Sequence, residues 1–381
     1  MFNIQMVQAG FGDCFLVEFG TPGHPRHLLI DGGPAAVYEH HLRPVLKCLA
    51  SNGGTLDLVV LSHVDNDHAV GLLDYFAEMR ETPGANSALP PVSGLWHNSF
   101  SRTIDRGSGI ERRLQSLMTA SRAQVMTQTG NAVNGIREGA ALRTAALALG
   151  IPINAGFEDG LITVETSRQP LQFGNLLITI ATPAEQQLEE LQTKWRAWLD
   201  KHEGAIANDE FLVMANSDMS VPNLSSIGFL MEADGKRALF TGDGRSDHLL
   251  KGLEQAGLLS DGRLHVDLLK LAHHGSSRNV TKKFFRSVTA DVYAVSANGR
   301  DGNPDLATLI WIVEAAREQC RKITIAATNA TPSIQQLKEE YNPATYGYKL
   351  RILPPARHSI KLSMSKTAWG GSEVRSGQMR A

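Results

Sequence analysis

The stretch Leu58–Leu73 reads LVVLSHVDNDHAVGLL, and it decides how the rest of the sequence is interpreted. Four apolar residues that favour β-structure, Leu58 to Leu61, run directly into a polar turn, and a segment of helical character follows. Within six positions the turn carries four side chains that can bind a metal: His63, Asp65, Asp67 and His68. Two imidazoles and two carboxylates this close together need a cation to neutralise them. The stretch therefore predicts a metal-binding strand-to-helix turn rather than an ordinary polar loop.

The bulk composition allows a sizeable core but does not point to a partner. The chain has 381 residues, with 37 basic and 39 acidic side chains and a net charge of −2. This balance argues neither for nor against nucleic acid. Three cysteines far apart in the sequence imply no disulfide framework and fit a reducing compartment. We see no signal peptide and no apolar stretch that could span a bilayer, so we expect a cytoplasmic protein without a membrane partner.

Strands and helices alternate on both sides of the opening stretch. Alternating apolar residues predict three antiparallel strands over residues 2–31, ending in Asp31-Gly32-Gly33. Further strands are predicted at 92–98, 161–164, 176–181, 223–232, 237–240, 290–296 and 323–328. Helices are predicted at 34–52, 68–80, 185–202, 247–257 and 305–321. The strand at 92–98 carries His97, which is either a metal ligand or an ordinary structural histidine.

Two later motifs place more metal-capable residues at strand ends. Phe240-Thr241-Gly242-Asp243 puts a carboxylate directly after a buried strand. A strand that begins at Val266 leads through Lys270 to His273-His274-Gly275-Ser276. Neighbouring side chains at a strand end point in opposite directions, so we expect one histidine to face the metal and the other to brace it or contact substrate. His274 is the preferred ligand, and His273 stays open as a ligand or a substrate-facing acid.

Two basic segments bear on the substrate. Residues 100–150 contain seven arginines and three acidic residues, and their apolar spacing predicts two helices, which we interpret as an insertion or cap over the site. Such a segment either attracts phosphodiester groups or is a solvated helical face. The end of the chain from Lys349 is also basic, and residues 366–381 are predicted to be flexible. Residues 1–365 are predicted to form a single domain.

The motifs together resemble those of the metallo-β-lactamase-fold hydrolases, whose second motif is His-x-His-x-Asp-His. Asp65 stands where that motif has its middle histidine, as in the branch related to the hydrolase domain of the DNA-uptake protein ComEC. The same branch is matched by Gln8–Asp13, by Asp31-Gly32-Gly33 and by Leu-Lys-x-x-His-His-Gly-Ser around Lys270. The resemblance implies an α/β protein of the αββα four-layer sandwich type, the metallo-β-lactamase fold, with its site along one edge.

The resemblance also implies a site for two divalent metal ions. Its ligands would be His63, Asp65, Asp67, His68, Asp243 and His274, with His97 completing the first half. In this arrangement Asp243 bridges the two ions. Because Asp65 makes the site oxygen-rich, manganese becomes a candidate beside zinc.

Catalytic and substrate-binding roles follow from the same resemblance. Asp67 and His273 would act beside a metal-bridging hydroxide. Asp31 would support the site by contacting the ligands rather than the metal. Three residues would contact substrate: Lys270, Ser276 and Asn303. Asn303 replaces a histidine that the family often has, and asparagine cannot shuttle protons near neutral pH.

The leading hypothesis is a metal-dependent phosphodiesterase, more specifically a nuclease, acting on phosphodiester substrates that include nucleic acid. The alternative is a hydrolase of small phosphodiesters, phosphorylcholine esters or lactones, since the fold hosts all of these chemistries. A third hypothesis is a non-catalytic binding protein on the same fold. The complete set of metal-capable residues disfavours it. The sequence does not define an oligomeric state.

Overall fold

The computed structural model describes residues 1–82, 88–99, 130–167, 169–201 and 225–364, together with 103, 105, 107 and 109. Over these residues two β-sheets lie face to face, with helices on both outer surfaces. This arrangement confirms the predicted αββα sandwich. The predicted insertion is described as a helix only from residue 130, and the tail at 366–381 lies outside the described residues. That residues 1–365 form one domain stays a prediction.

The strands and helices have the following bounds. The strands are β1 (Phe2–Val7), β2 (Phe15–Thr21), β3 (His24–Ile30), β4 (Leu58–Leu61), β5 (Leu95–His97), β6 (Leu171–Phe173), β7 (Leu176–Thr182), β8 (Gly228–Ala233), β9 (Lys236–Phe240), β10 (Leu264–Lys270), β11 (Val288–Val295), β12 (Ile323–Ala327), β13 (Tyr348–Ile352) and β14 (Ser359–Ser363). The α-helices are α1 (Arg43–Ser51), α2 (Asn66–Glu81), α3 (Gly130–Ala148), α4 (Glu185–Lys201), α5 (Ser246–Gln255), α6 (Lys282–Ser287), α7 (Leu306–Glu318), α8 (Pro332–Glu340) and α9 (Pro343–Tyr346). A π-helix, Tyr38–Leu42, runs into α1, and 3₁₀ turns lie at Glu158–Gly160 and Ala272–Gly275.

Each sheet is antiparallel at one end and parallel at the other. The first sheet has the strand order β14-β1-β2-β3-β4-β5, and β3, β4 and β5 run parallel. The second sheet has the order β13-β12-β11-β10-β9-β8-β7-β6, and β9 to β13 run parallel. All four residues of β4 are buried. Because that strand is covered on both faces, its apolar run is continuous rather than alternating.

Three layers of apolar side chains hold the sandwich together. Between the sheets, Phe15 of β2 meets Phe240 of β9 edge-on, with ring centroids 5.3 Å apart. On the outer face of the first sheet, α1, α2 and α3 bury residues such as Leu46, Leu72 and Leu142. Helices α5 to α8 cover the outer face of the second sheet. Full burial of one such side chain contributes about 1.5–3 kcal/mol, so these layers dominate the stability of the sandwich.

The loops that carry the metal-capable residues leave the sheets at one edge. Parallel strands place their carboxyl ends at the same edge of a sheet, which is where α/β proteins commonly bind ligands. Asp31 follows β3, His63 follows β4, and Asp243 follows β9. The loop between β1 and β2 reaches the same place, since the Asp13 amide donates to the Asp67 carbonyl at 3.1 Å.

Residues 161–164 do not form the predicted strand. The Thr163 amide donates to Thr166 Oγ1 at 2.9 Å, and the Thr166 amide donates to Thr163 Oγ1 at 3.1 Å. Threonine side chains that bond to nearby backbone in this way compete with a sheet ladder and close a turn. The edge strand of the second sheet is instead β6, which pairs with β7.

None of the described helices combines the length and the apolar character needed to cross a membrane.

Candidate metal centre

Asp243 lies at the middle of the site. Its side chain is 2% exposed, and its two oxygens face different partners. Oδ1 is 3.4 Å from Nε2 of His68, whereas Oδ2 is 3.7 Å from Nε2 of His274 and 3.8 Å from Nε2 of His273. One carboxylate thus approaches three imidazoles from two sides. A bridging ligand needs this arrangement.

The turn between β4 and α2 supplies two more acidic groups. Asp65 occupies the N-cap position of α2, but its side chain does not cap the helix. Its Oδ2 instead lies 3.1 Å from Nε2 of His63. Asp67, in the first turn of α2, places Oδ2 3.0 Å from Nε2 of His274 and Oδ1 4.0 Å from Nε2 of His68. The structure therefore brings His63, Asp65, Asp67 and His68 to one place with the later motifs.

The four histidines of the site are all held through Nδ1. The partners are Ser226 Oγ at 3.3 Å for His63, Asp31 Oδ2 at 2.9 Å for His68, Asn279 Oδ1 at 2.7 Å for His273 and the Ser296 carbonyl at 3.0 Å for His274. The partners of His68, His273 and His274 are carbonyl or carboxylate oxygens, which can only accept, so Nδ1 of these three rings carries a proton and Nε2 is the nitrogen left to face a metal. The Ser226 hydroxyl can donate or accept, so it does not set the tautomer of His63. Metal-binding histidines in proteins are oriented by this kind of partner on the second nitrogen.

Unsatisfied buried atoms show that the site fits a cation. The Nε2 atoms of His63 and His68 and Oδ1 of Asp243 make no hydrogen bond to the described residues. Buried polar atoms left without a partner are costly, and divalent ions bound at the site would give these atoms a partner. One ligand atom from each of Asp13, His68, Asp243 and His274 lies within 4.8 Å of the others. The described part of the chain thus contains a buried Asp/His group that can hold a metal.

Charge points to the same conclusion. Asp13, Asp31 and Asp243 are each at most 2% exposed, and among the described residues only the Lys270 ammonium opposes them as a buried lysine or arginine. Lys270 forms an ion pair with Asp13, donates to the Gly242 carbonyl at 2.9 Å and lies 3.7 Å from Asp243. An excess of buried negative charge is destabilising unless a cation compensates it.

The pKa shifts reflect this excess of carboxylates. Burial alone would lower the pKa of His274, but Asp13 and Asp243 raise it to about 10. Burial also opposes the shift at His68, whose pKa is raised well above its usual value by Asp243, Asp31 and Asp67. A site that holds protons on two buried imidazoles so strongly has a high affinity for positive charge.

The histidine pair differs from its predicted geometry. Strand β10 ends at Lys270, and His273 and His274 lie in the following turn, with φ of 47° and 55°. The expectation that the two side chains would point in opposite directions from a strand end was therefore wrong. Both imidazoles approach Asp243 instead. The difference between them is exposure, because the His273 side chain is 33% exposed whereas that of His274 is 3% exposed.

The remaining predicted residues have other surroundings, and the ligand role of His97 stays a prediction. Both ring nitrogens of His97 lack a hydrogen bond to the described residues, and burial, with Arg143 nearby, lowers the pKa of His97 to about 4. No described ion pair or hydrogen bond links that ring to the other candidate ligands. Asn303 donates to the His273 carbonyl at 3.5 Å, and Ser276 is buried beside the same turn. Lys270 is 2% exposed, which does not favour its predicted contact with substrate.

Asp13 and Asn279 are site residues that sequence reasoning missed. Asp13 lies on the Nδ1 side of two ligands, 3.5 Å from His274 and 3.9 Å from His68. Asn279 accepts from His273 and donates to the Asp243 carbonyl at 3.1 Å, so it fixes two candidate ligands at once. The Gly-Phe-Gly-Asp turn after β1 was a signal for Asp13. Nothing local in the sequence distinguishes Asn279.

Three glycines allow the loops of the site to pack closely. A Cβ on Gly12 would lie 1.9 Å from the Asp67 carbonyl oxygen, and one on Gly71 would lie 2.0 Å from the Gly32 carbonyl oxygen. The Gly32 amide donates to the His68 carbonyl at 2.7 Å. Helix α2 is thereby pressed against both neighbouring loops, which sets the position of Asp67 and His68.

Comparisons with known proteins were made by sequence and by structure. No protein-family model and no curated protein matches the chain. Solved structures do match over nearly the whole length. The metallo-β-lactamase fold protein YhfI from Bacillus subtilis is 10% identical, with 95% of this chain and 99% of that chain covered and a TM-score of 0.40.

Two further solved structures give similar values. Zn²⁺-bound PqqB from Methylobacterium extorquens is 11% identical, with 95% and 100% of the two chains covered and a TM-score of 0.41. A diphosphatase from the PhnP family is 11% identical, with 96% and 98% covered and a TM-score of 0.41. All three TM-scores lie below 0.5, so the assignment of the fold rests on the sheets and helices of this chain.

Proposed function

We propose that the protein is a metal-dependent phosphodiesterase centred on Asp67, His68, Asp243 and His274. The observation that carries this proposal is the convergence of unsatisfied nitrogens and carboxylate oxygens from four loops at one sheet edge. When bound there, two divalent ions would supply Lewis-acid polarisation of a phosphoryl oxygen and lower the pKa of a water. The residues of the chain then position the substrate and move protons.

Asp67 and His273 are the groups placed to move those protons. The Asp67 side chain is 22% exposed, more than the other carboxylates around Asp243, and can accept a proton from the attacking water. His273 is the most exposed of the site's histidines, and Asn279 holds its Nδ1. That fixed ring presents Nε2 toward Asp243 and the opening, where a protonated imidazole can donate to the departing oxygen.

Arg300 is better placed than Lys270 to offset the charge of a phosphodiester. Its guanidinium lies over the Phe11 ring, 3.2 Å from the ring centroid, and 48% of the side chain is exposed. Phe11 precedes Gly12, which packs against Asp67, and Arg300 is three residues before Asn303, which contacts the His273 turn. The stacked guanidinium therefore lies on the rim between two site loops. The guanidinium also pairs with Asp301 at 2.7 Å, and a phosphodiester could take the place of that exposed carboxylate.

Nucleic acid is the first phosphodiester to test. The arginines of residues 100–150 and the basic residues after Lys349 support it, although most of the former lie outside the described residues. Attraction of this kind is sequence-independent and weakens with added salt. A nuclease would therefore lose affinity as the salt concentration rises, whereas hydrolysis of a small phosphodiester would change little.

A substrate panel tests the proposal. Purified protein with manganese or zinc is incubated with single-stranded DNA, double-stranded DNA, RNA and bis(p-nitrophenyl) phosphate, and product is measured over time. We expect hydrolysis of at least one of them. Hydrolysis of the small ester alone would limit the proposal to small phosphodiesters. If none of the four is hydrolysed with either metal, the proposal is wrong.

A matched pair of variants on α2 distinguishes the loss of a group in the metal centre from general structural damage to the helix. Asp67→Asn keeps the shape of the side chain and removes its charge, so activity should fall by about 10²–10⁴-fold. Asp74→Asn makes the same change at an exposed position of the same helix. That control should keep wild-type activity. Full activity in Asp67→Asn would contradict the assignment of the centre.

A further inference from the structure

Three histidines outside the buried centre come together on the surface. His40 and His41 lie on the π-helix Tyr38–Leu42, and His358 lies directly before β14. The Nδ1 atoms of His41 and His358 are 3.3 Å apart. The ring centroids of His41 and His358 are separated by 5.5 Å, and those of His40 and His41 by 6.5 Å. His41 and His358 are 317 residues apart in the sequence, so the fold alone brings them together.

The separation of the two nitrogens matches that of two ligands on one ion. Zinc binds imidazole at about 2.0–2.1 Å in a tetrahedral arrangement, which puts two such nitrogens roughly 3.3–3.4 Å apart. A single proton shared between the two nitrogens would give the same separation, and the amount of bound zinc distinguishes the two cases.

Both sides of this cluster are rigidly supported. The Gln8 amide donates to the His358 carbonyl at 2.8 Å, and the next residue, Ser359, pairs with Val7 of β1. On the other side, Glu78 of α2 accepts from Tyr38 Oη and from two nitrogens of Arg43, each at 2.7 Å. Those bonds fix the two ends of the π-helix. The imidazoles are therefore preorganised, which lowers the cost of binding an ion.

The backbone and the charge of the segment add independent support. The Arg43 amide donates to the Tyr38 carbonyl, which makes the wide five-residue turn of a π-helix, a feature found frequently at functional sites. Burial, His358 and His40 all lower the pKa of His41. Neutral imidazole is the form that binds metal, so nitrogens of His41 are available as ligands near neutral pH.

We propose that His41 and His358 form a surface site for a borderline transition-metal ion such as Zn²⁺, separate from the buried centre, with solvent completing the coordination. Imidazole ligands favour zinc, copper and nickel over manganese or magnesium. The ion would tie the π-helix before α1 to the segment that leads into β14 of the first sheet. This inference does not depend on the proposed hydrolase activity.

Zinc stoichiometry tests the site. Wild type, His41→Ala, His358→Ala and the control His24→Ala, an exposed histidine of β3, are dialysed against the same free zinc concentration, and bound metal is measured. We expect His41→Ala and His358→Ala to bind about one ion fewer per chain than wild type and His24→Ala. Dialysis against manganese should show no difference among the four. Equal zinc content in all four proteins would overturn the proposal.

A diffraction experiment gives a second, direct readout. Crystals of the wild-type protein soaked in zinc should show an anomalous peak between the Nδ1 atoms of His41 and His358. A peak at the buried centre with none at this position would overturn the surface site while leaving the proposed function intact. A peak here with none at the centre would do the reverse.

Discussion

The orientation of single imidazoles defines the candidate centre. Asp31 Oδ2 accepts hydrogen bonds from Nδ1 of His68 at 2.9 Å and from Ser62 Oγ at 2.6 Å. Asp31 Oδ1 accepts one from the Ser62 amide at 2.7 Å. Asp31 is thereby fixed on three sides. Its charge both orients the ring and increases the basicity of Nε2. This geometry agrees with the supporting role that the resemblance implied for Asp31, and that role stays a prediction.

Replacing Asp31 should weaken metal binding without removing a ligand. Asp31→Asn keeps the size of the side chain but loses the charged acceptor, so metal affinity should fall by about 10–100-fold. Calorimetric titration with manganese measures it. Asp267→Asn, which disrupts the ion pair between Lys236 and the middle of β10, is the control and should titrate like wild type. An unchanged affinity in Asp31→Asn would rule out the positioning role.

Arg300 gives a prediction on the substrate side. Removing its guanidinium in Arg300→Ala should raise KM for a phosphodiester by about 10–100-fold, since one charge-assisted contact contributes roughly 1.5–3 kcal/mol, and kcat should change less. Steady-state kinetics separates the two constants. Arg300 pairs with the carboxylate of Asp301, so Arg286→Ala, an exposed arginine paired with Glu318, serves as the control. A fall in kcat at constant KM would show that Arg300 does not bind substrate.

The sequence could identify the candidate ligands, whose metal-binding role stays a prediction, but not the residues that hold them. His63, Asp67 and His68 are recognisable because they crowd one turn after an apolar strand. Asp243 and His274 are recognisable because each follows another such strand. Asn279 and Ser226 contribute one hydrogen bond each to an imidazole, and they come from segments whose positions only the folded sheets determine. Such contacts have no local pattern to read.

Helix α2 shows how an element positions chemistry. Its amino-terminal turn carries Asp67 and His68, and Gly71 in the next turn lets the helix touch the Gly32 backbone. The Gly71 amide donates to the Gly33 carbonyl at 3.0 Å. Without a side chain at Gly71 the helix approaches the loop after β3 closely enough for Asp31 to reach His68.

Gly71→Ala should destabilise the protein, contrary to the usual effect of alanine in a helix. Alanine in place of a helical glycine normally gains about 1 kcal/mol. Here the new methyl group would lie 2.0 Å from the Gly32 carbonyl oxygen, and overpacking of this kind costs about 1–3 kcal/mol. Chemical denaturation measures the change in the free energy of unfolding, and manganese affinity should fall with it.

Gly23→Ala is the matched control for this effect. A Cβ at Gly23, in the turn between β2 and β3, would have no atom within 4 Å. Its free energy of unfolding should equal that of wild type. If Gly71→Ala proved as stable as Gly23→Ala, the close approach of α2 to the Gly32 loop would not be a requirement of the fold.

Strands and helices could be predicted where the apolar periodicity was long, and the prediction was wrong where side chains form hydrogen bonds to nearby backbone. Strand β4 and helix α5 lie within two residues of their predicted bounds. The strand expected at 161–164 failed because Thr163 and Thr166 bond to each other's backbone. The π-helix at Tyr38–Leu42 was included in one predicted α-helix, since a wider turn changes the hydrogen bonds but hardly changes the apolar spacing.

The sandwich joins residues that are far apart in the chain around one cluster of charge. Asp13 from the first sheet meets Lys270 from the second, and Asp67 meets His274 across 207 residues. A bound ion would therefore connect the two sheets. Because the cluster is negative without a cation, the folded state should be stabilised when metal is present.

Chelation should lower the stability of the protein measurably. At a free metal concentration 100 times the dissociation constant, binding to the native state adds about 2.7 kcal/mol to the free energy of unfolding. Thermal denaturation with excess manganese and with a chelator measures the difference. Asp243→Ala should show a much smaller response to manganese than wild type. A wild-type midpoint that does not move on chelation would show that no ion links the two sheets.

The most direct measurement is the zinc content of wild type and Asp243→Ala after dialysis against the same free zinc. The surface histidines are intact in both proteins, so their contribution cancels. Wild type should hold about two more ions per chain than the variant, because Asp243 would bridge both positions of the buried centre. Equal zinc content in the two proteins would contradict the assignment of a metal centre at this sheet edge.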